Sequence, residues 1–171
     1  MKFIGPPFTF GLQELSKNIT IMSPSSAVAV EDAVYWMGVD TFYVTNGGQT
    51  LQLPCTVKDK VFLDFNFEER DKVHVGVNSE FSELLWFYPS SGSVEIDKYV
   101  AYNYSEKVWY YGTMARQAWL DRGIRTLPVA TGDQYLYNHE VGYDDDGSAM
   151  TSFIESAPID IGDGDKYVSL R

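Results

Sequence analysis

The stretch that most constrains the fold runs from Lys98 to Arg122, KYVAYNYSEKVWYYGTMARQAWLDR. Tyr99 and Ala101 alternate with Val100, Tyr102 and Tyr104; Ser105-Glu106-Lys107 supplies a polar break; Val108, Tyr110 and Gly112 then alternate with Trp109 and Tyr111. Alternation at period two, with aromatic and β-branched residues, is the signature of pleated strands, and a short polar connection between two such runs makes a hairpin. Both faces of this hairpin are loaded with large side chains. It reads as one corner of a repeated β unit, and its residue types offer surface, not chemistry.

The same signals recur on either side. Residues 1–26, with Gly5-Pro6-Pro7 and the serine-rich MSPSSA segment, read as an N-terminal strap or linker. From Ala27 strands are expected at Ala33–Met37, Phe42–Thr45 and Thr50–Leu53, the last two joined through Asn46-Gly47-Gly48, a strong hairpin signal. Between residues 56 and 65 helical and strand periods overlap, and a short amphipathic helix is expected there. A second unit comprises Lys72–Val77, Leu84–Tyr88 and the hairpin itself. A third begins at Thr126, with Leu127–Ala130, a turn at Gly132-Asp133, Tyr135–Glu140, an acidic turn at Asp144–Gly147 and Thr151–Ser156; Tyr167–Leu170 opens a further strand.

The aromatic strands of the three units lie roughly 40 to 50 residues apart, the period of four-stranded propeller blades. The expected fold is therefore all-β: about three four-stranded antiparallel units in an incomplete β-propeller spanning residues 27–171, with a β-sandwich as the alternative. Closing a ring takes at least about four blades. Either the chain is a segment of a longer protein or other copies complete the arrangement.

Composition narrows the function classes. The 24 acidic against 13 basic side chains give a formal net charge of −11, which repels phosphate backbones and argues against sequence-independent binding of nucleic acid. The same charge suits a wall past which double-stranded DNA slides without being held. A single cysteine, Cys55, rules out an internal disulfide. No run approaches the ~18 apolar residues of a membrane span.

Candidate sites are few. His74 and His139, the only histidines, sit in strand-like runs away from any nucleophile motif and read as structural, and no phosphate-binding or dinucleotide motif occurs. No cofactor is implied, and the chain is not expected to be an enzyme. Asp144 and Asp146 in one acidic loop, and Asp160, Asp163 and Asp165 in another, offer the closely spaced oxygens that calcium takes, without the glutamate that closes an EF-hand. Trp109, Tyr110, Tyr111 and Trp119 form a candidate interaction surface, with core packing as the alternative and sugar stacking as the sharper use. Asp121 and Arg122 could pair locally or brace a neighbouring unit.

The order of motifs carries a resemblance. GPPFTFGLQEL, AVEDAVYWMGVDTFYV, LPCTVKDKVFLDFNFEERDKV and then NSEFSELLWFYPSSGSVEIDKYVAYNYSEKVWYYGTMARQAWLDRG together resemble the central part of tail nozzle proteins of short-tailed bacteriophages, also called tail tubular protein B or packaged-DNA stabilisation protein. The WFYPSS…YNY…VWYYGT…AWLDRG series is the most specific part, and the resemblance extends over nearly the whole chain. It implies a β-propeller core within a much larger subunit, made in the host cytoplasm and working in the virion tail. Other copies and adjacent tail or adaptor proteins are the implied partners. It implies no catalytic residue. A carbohydrate-binding or glycoside-cleaving β module of a virion or cell surface is the alternative function.

Overall fold

The computed structural model describes residues 2–3, 5–6, 10–11, 17–145 and 147–149. It is all-β apart from two short helices. Two units are distinguished, Met1–Glu140 and Val141–Arg171. The first opens with the short pair β1 (Lys2–Phe3) and β2 (Phe10–Gly11). Its first large sheet contains β3 (Ala27–Val30), β4 (Ala33–Met37), β5 (Phe42–Thr45) and β6 (Thr50–Leu53), paired antiparallel in chain order. The second contains β7 (His74–Asn78), β8 (Glu83–Tyr88), β9 (Lys98–Asn103) and β10 (Val108–Thr113), again a meander. The third contains β11 (Ala118–Leu120), β12 (Val129–Gly132) and β13 (Tyr135–Asn138). In the second unit, β14 (Asp144–Asp145) pairs with β15 (Ser148–Ala149).

The expected strands of the first two sheets form nearly where the alternation places them. The Asn46-Gly47-Gly48 turn closes as expected: Gly47 takes φ +87°, left-handed backbone in which side-chain-bearing residues are strained. The expected helix is α1, Lys58–Leu63, held by buried Val61 and by Phe62, whose ring lies 5.7 Å from that of Phe42. A 3-10 helix, Phe67–Lys72, follows, with Asn66 at its N-cap accepting from Glu68 N at 3.1 Å.

The third sheet departs from expectation. Its first strand is Ala118–Leu120, ahead of the expected start at Thr126, and it has three strands among the described residues. Three residues are too few for alternation to announce a strand. Residues 151–156 and 167–170, also expected as strands, lie outside the described residues.

Sheet stacking creates the core. The register puts Leu84, Trp86, Val100 and Tyr102 on one face of the second sheet and Leu85, Phe87 and Ala101 on the other. The first set packs against Met37, Phe42 and Leu53 of the first sheet. The opposite set packs with Ile96 and with Trp119 of the third sheet. First strands of successive sheets are neighbours, β3 beside β7 and β7 beside β11.

The end of the expected strap is part of this packing. Met22, Ser23 and Ser26 are buried. Ser26 O accepts from Trp86 Nε1 at 2.9 Å, Ser25 O accepts from Val75 N at 3.0 Å, and Ser23 Oγ donates to Val73 O. Small hydroxyl residues suit this place because they satisfy buried backbone groups between the two sheets.

The second and third sheets approach closely at Gly76. A Cβ there would stand 2.5 Å from the Trp119 ring, whose Nε1 donates to Val77 O at 2.8 Å. Gly76→Ala is therefore expected to push Trp119 off its site and destabilise the fold by about 1–3 kcal/mol, read by thermal melting together with a red shift of tryptophan emission.

Candidate interaction surface

The four aromatic residues of the hairpin region do not form one surface. Trp109 and Tyr111 lie on the face of the second sheet that meets the first sheet, and Tyr110 lies on the opposite face. Trp119 belongs to the third sheet. The Trp109 ring packs 4.6 Å from both Phe42 and Tyr102, and its Nε1 donates to Pro54 O at 2.8 Å. Trp119 stacks 5.8 Å from Phe87 and 4.8 Å from His139. Both indoles thus have their polar edge on a backbone carbonyl and their rings among core aromatics. Tyr111 is the exposed member, at 40%, with the Lys60 ammonium 4.9 Å from its ring centroid.

Asp121 and Arg122 brace the second sheet instead of pairing with each other. Asp121 Oδ1 accepts from Ser79 N at 3.2 Å and from Arg122 N at 2.8 Å, while the Arg122 guanidinium reaches Glu80 Oε2 at 3.3 Å. Exposed pairs of this kind contribute about 0–1 kcal/mol each.

Of the calcium candidates, Asp144 sits in β14, and its Oδ1 accepts from Gly147 N at 3.3 Å. Asp146, Asp160, Asp163 and Asp165 lie outside the described residues. Among the described residues no group of three or more His, Cys, Asp or Glu is arranged to hold a metal ion.

The histidines are packing residues. The His74 ring stacks 4.9 Å from Phe87, and burial pushes its pKa below the ordinary value despite a hydrogen bond to the Lys72 backbone. His139 Nε2 accepts from Arg116 Nε at 3.0 Å. Burial pushes the Cys55 thiol up to about 11, which keeps it protonated and unreactive at neutral pH.

One polar cluster was not foreseen from the sequence. Asn78 is buried at the end of β7, and its Nδ2 donates to Glu83 Oε2 at 3.3 Å and to Glu140 Oε1 at 3.0 Å. Glu83 also bonds Tyr110, whose hydroxyl pKa is driven far up, chiefly by burial. Asn78 and Glu140 are separated by 62 positions, so no local motif could have announced their meeting. The arrangement shares one amide between two carboxylates and holds no nucleophile, which makes it a structural latch.

On the outer face of the third sheet, Leu120, Arg125, Val129 and Leu136 line a shallow hollow of about 300 Å³. No protein-family model matches the chain, and no curated protein matches it.

Burial raises the Glu83 carboxyl pKa, with the Glu140 charge adding to the rise and the Tyr110 and Asn78 hydrogen bonds opposing it. A raised folded-state pKa stabilises the fold below the unfolded value, about 4.3, and that contribution is lost as pH rises through the folded value. Glu83→Gln keeps an acceptor for Tyr110 while removing the charge. It is expected to raise the melting temperature at pH 7 and to change it little at pH 4, as measured by circular dichroism.

Proposed function

We infer that the chain is a non-catalytic structural part of a virion tail, within a nozzle or tube that retains and conducts packaged double-stranded DNA. The observation that carries this reading is the stacking of antiparallel meanders with their first strands side by side and, among the described residues, Val34, Leu120 and Leu136 exposed on the outer faces of the first and third sheets. That is how blades of a β-propeller are laid together, and an open series calls for further sheets from outside it. The motif series that resembles phage tail nozzle proteins supports it, because WFYPSS…AWLDRG runs from β8 through β11, where the second sheet meets the third. A net charge of −11 supports a surface along which DNA moves without adhering.

In this reading the partners are other copies of the chain and adjacent tail or adaptor proteins. The alternative, a carbohydrate-binding or glycoside-cleaving module, needs ring faces open to a sugar. Trp109 and Trp119, its best candidates, have their indole N–H groups on Pro54 O and Val77 O, so the assembly reading is preferred.

The test is light scattering of the purified chain over a concentration range, paired with a mobility-shift assay on linear double-stranded DNA at low salt. Mass that grows with concentration, and DNA that migrates unretarded, are the expected results. A chain that stays monomeric and hydrolyses glycans would sink the reading.

A further inference from the structure

The turn between β5 and β6 carries chemistry of its own. Asn46, Gly47, Gly48 and Gln49 are all exposed. The Asn46 side-chain Oδ1 accepts from Gly48 N at 3.3 Å, an Asx turn that folds the amide back along the chain. Gly47 N, which lies between these groups in the chain, donates to Thr45 Oγ1 at 3.3 Å, and the Thr45 hydroxyl in turn donates to Gln49 O at 3.0 Å. A carbonyl held by a donor is the better electrophile, and an amide nitrogen whose proton is drawn to an acceptor is the better nucleophile. Here the two stand on consecutive residues, the arrangement in which intramolecular attack is fastest. Nothing lies within 4 Å of the Cβ position at Gly47 to screen its nitrogen.

We propose that Asn46 is a self-modifying site, where the folded turn converts asparagine to aspartate and isoaspartate without an enzyme. Gly47 N bonds to Asn46 Cγ, the Cγ–Nδ2 bond breaks, and Nδ2 leaves as ammonia with the proton that Gly47 N gives up. The product is a cyclic imide. Solvent water then opens it, its hydroxyl going to the new carboxyl and its proton to the nitrogen. Cleavage of the bond from nitrogen to Cγ gives aspartate; cleavage of the bond from nitrogen to the backbone carbonyl carbon of residue 46 gives isoaspartate. Thr45 is the positioning residue, holding the proton of the attacking nitrogen.

The other five asparagines mark the site out by contrast. Asn18, Asn66, Asn78, Asn103 and Asn138 precede Ile19, Phe67, Ser79, Tyr104 and His139, whose side chains crowd the nitrogen that would attack, as glycine does not. The side-chain amides of Asn66, Asn78 and Asn103 are also held elsewhere, donating to Ser93 O, to Glu83 and Glu140, and to Phe81 O.

The consequence falls on the first sheet. Thr45 opposite Thr50 is the last pair of the β5–β6 ladder before the turn. Either product puts a carboxylate into that turn, and isoaspartate adds a methylene to its backbone, so the loop length that fixes the register is altered.

The experiment incubates the full-length chain in mildly alkaline buffer, folded and, in parallel, unfolded in denaturant, and follows both by peptide mapping with mass spectrometry. The peptide holding Asn46 is expected to lose ammonia and then gain water, giving two acidic isomers, faster in the folded chain than in the unfolded one. The other five asparagines are expected to persist in the folded chain. Thr45→Val removes the acceptor for Gly47 N; it is expected to slow the folded chain about tenfold, the rate equivalent of one hydrogen bond, and to leave the unfolded rate unchanged. Thr45→Ser is expected to restore the wild-type rate.

A folded rate no higher than the unfolded rate means that the turn shields Asn46, and overturns the proposal. So does a Thr45→Val rate equal to that of the wild type, or earlier conversion at Asn18 or Asn138. Circular dichroism checks that each variant is folded; if Thr45→Val is not, the folded and unfolded rates of the wild type and of Thr45→Ser decide by the same criterion.

Discussion

The inner strands of the second sheet, β8 and β9, are buried on both faces, and the other two sheets take their places from them. In β8 successive residues enter different cores: Leu84, Trp86 and Tyr88 point toward the first sheet, and Leu85 and Phe87 toward the third. Near-continuous burial of a strand is stable only if both faces are covered, since uncovering one would return several aromatic side chains to water at about 25 cal/mol per Å². Trp86 makes the dependence specific. Its ring lies 5.0 Å from Phe42 across the sheet interface, and its N–H is satisfied by Ser26 O, a backbone group of the segment leading into β3. The first sheet is thus fixed to the second by packing and by a directional bond at one point.

The loops reinforce that arrangement by satisfying polar groups locally. Asp97 accepts from Ser90 N at 2.7 Å and from Ser90 Oγ at 2.6 Å, closing the connection between β8 and β9. Asn66 donates to Ser93 O at 2.8 Å while capping the 3-10 helix, and Asp64 pairs with Lys98 at the start of β9. The helical connection is thereby tied to the second sheet. The same logic does not extend to the ends of the stack, where Val34, Leu120 and Leu136 face solvent in the isolated chain. A stack whose middle is buried while Val34, Leu120 and Leu136 are exposed toward its ends supports the assembly role proposed above.

The legibility of the sequence followed the length and purity of each local pattern. β4, β5, β6, β8 and the β9–β10 hairpin were readable because alternation or an unbroken aromatic run held for four to six residues and turn residues bounded them. β11 was missed: its three residues, Ala118-Trp119-Leu120, carry too little periodicity, and Trp119 reads alike as a surface ring or a core ring. The strap's last residues, Met22 to Ser26, look like linker because serine and proline dominate, yet Met22, Ser23 and Ser26 are buried and the two serine hydroxyls satisfy backbone carbonyls there. Of the candidate surface, Tyr111 keeps its exposure, while the indoles of Trp109 and Trp119 find carbonyl partners 55 and 42 positions away.

The sequence by itself determined the β class, most strands of the first two sheets and the short helix, because these depend on side-chain alternation and turn residues that act over a few positions. Only the tertiary structure decided which faces are shared and which are left open. The Asn78–Glu140 latch, the seating of Trp119 over Gly76 and the exposed faces at Ala29 and Leu120 all depend on residues brought together from distant parts of the chain. Burial is a property of the stacked sheets: a strand's pattern says that a face is apolar, and the neighbouring sheet decides whether that face becomes core or contact surface.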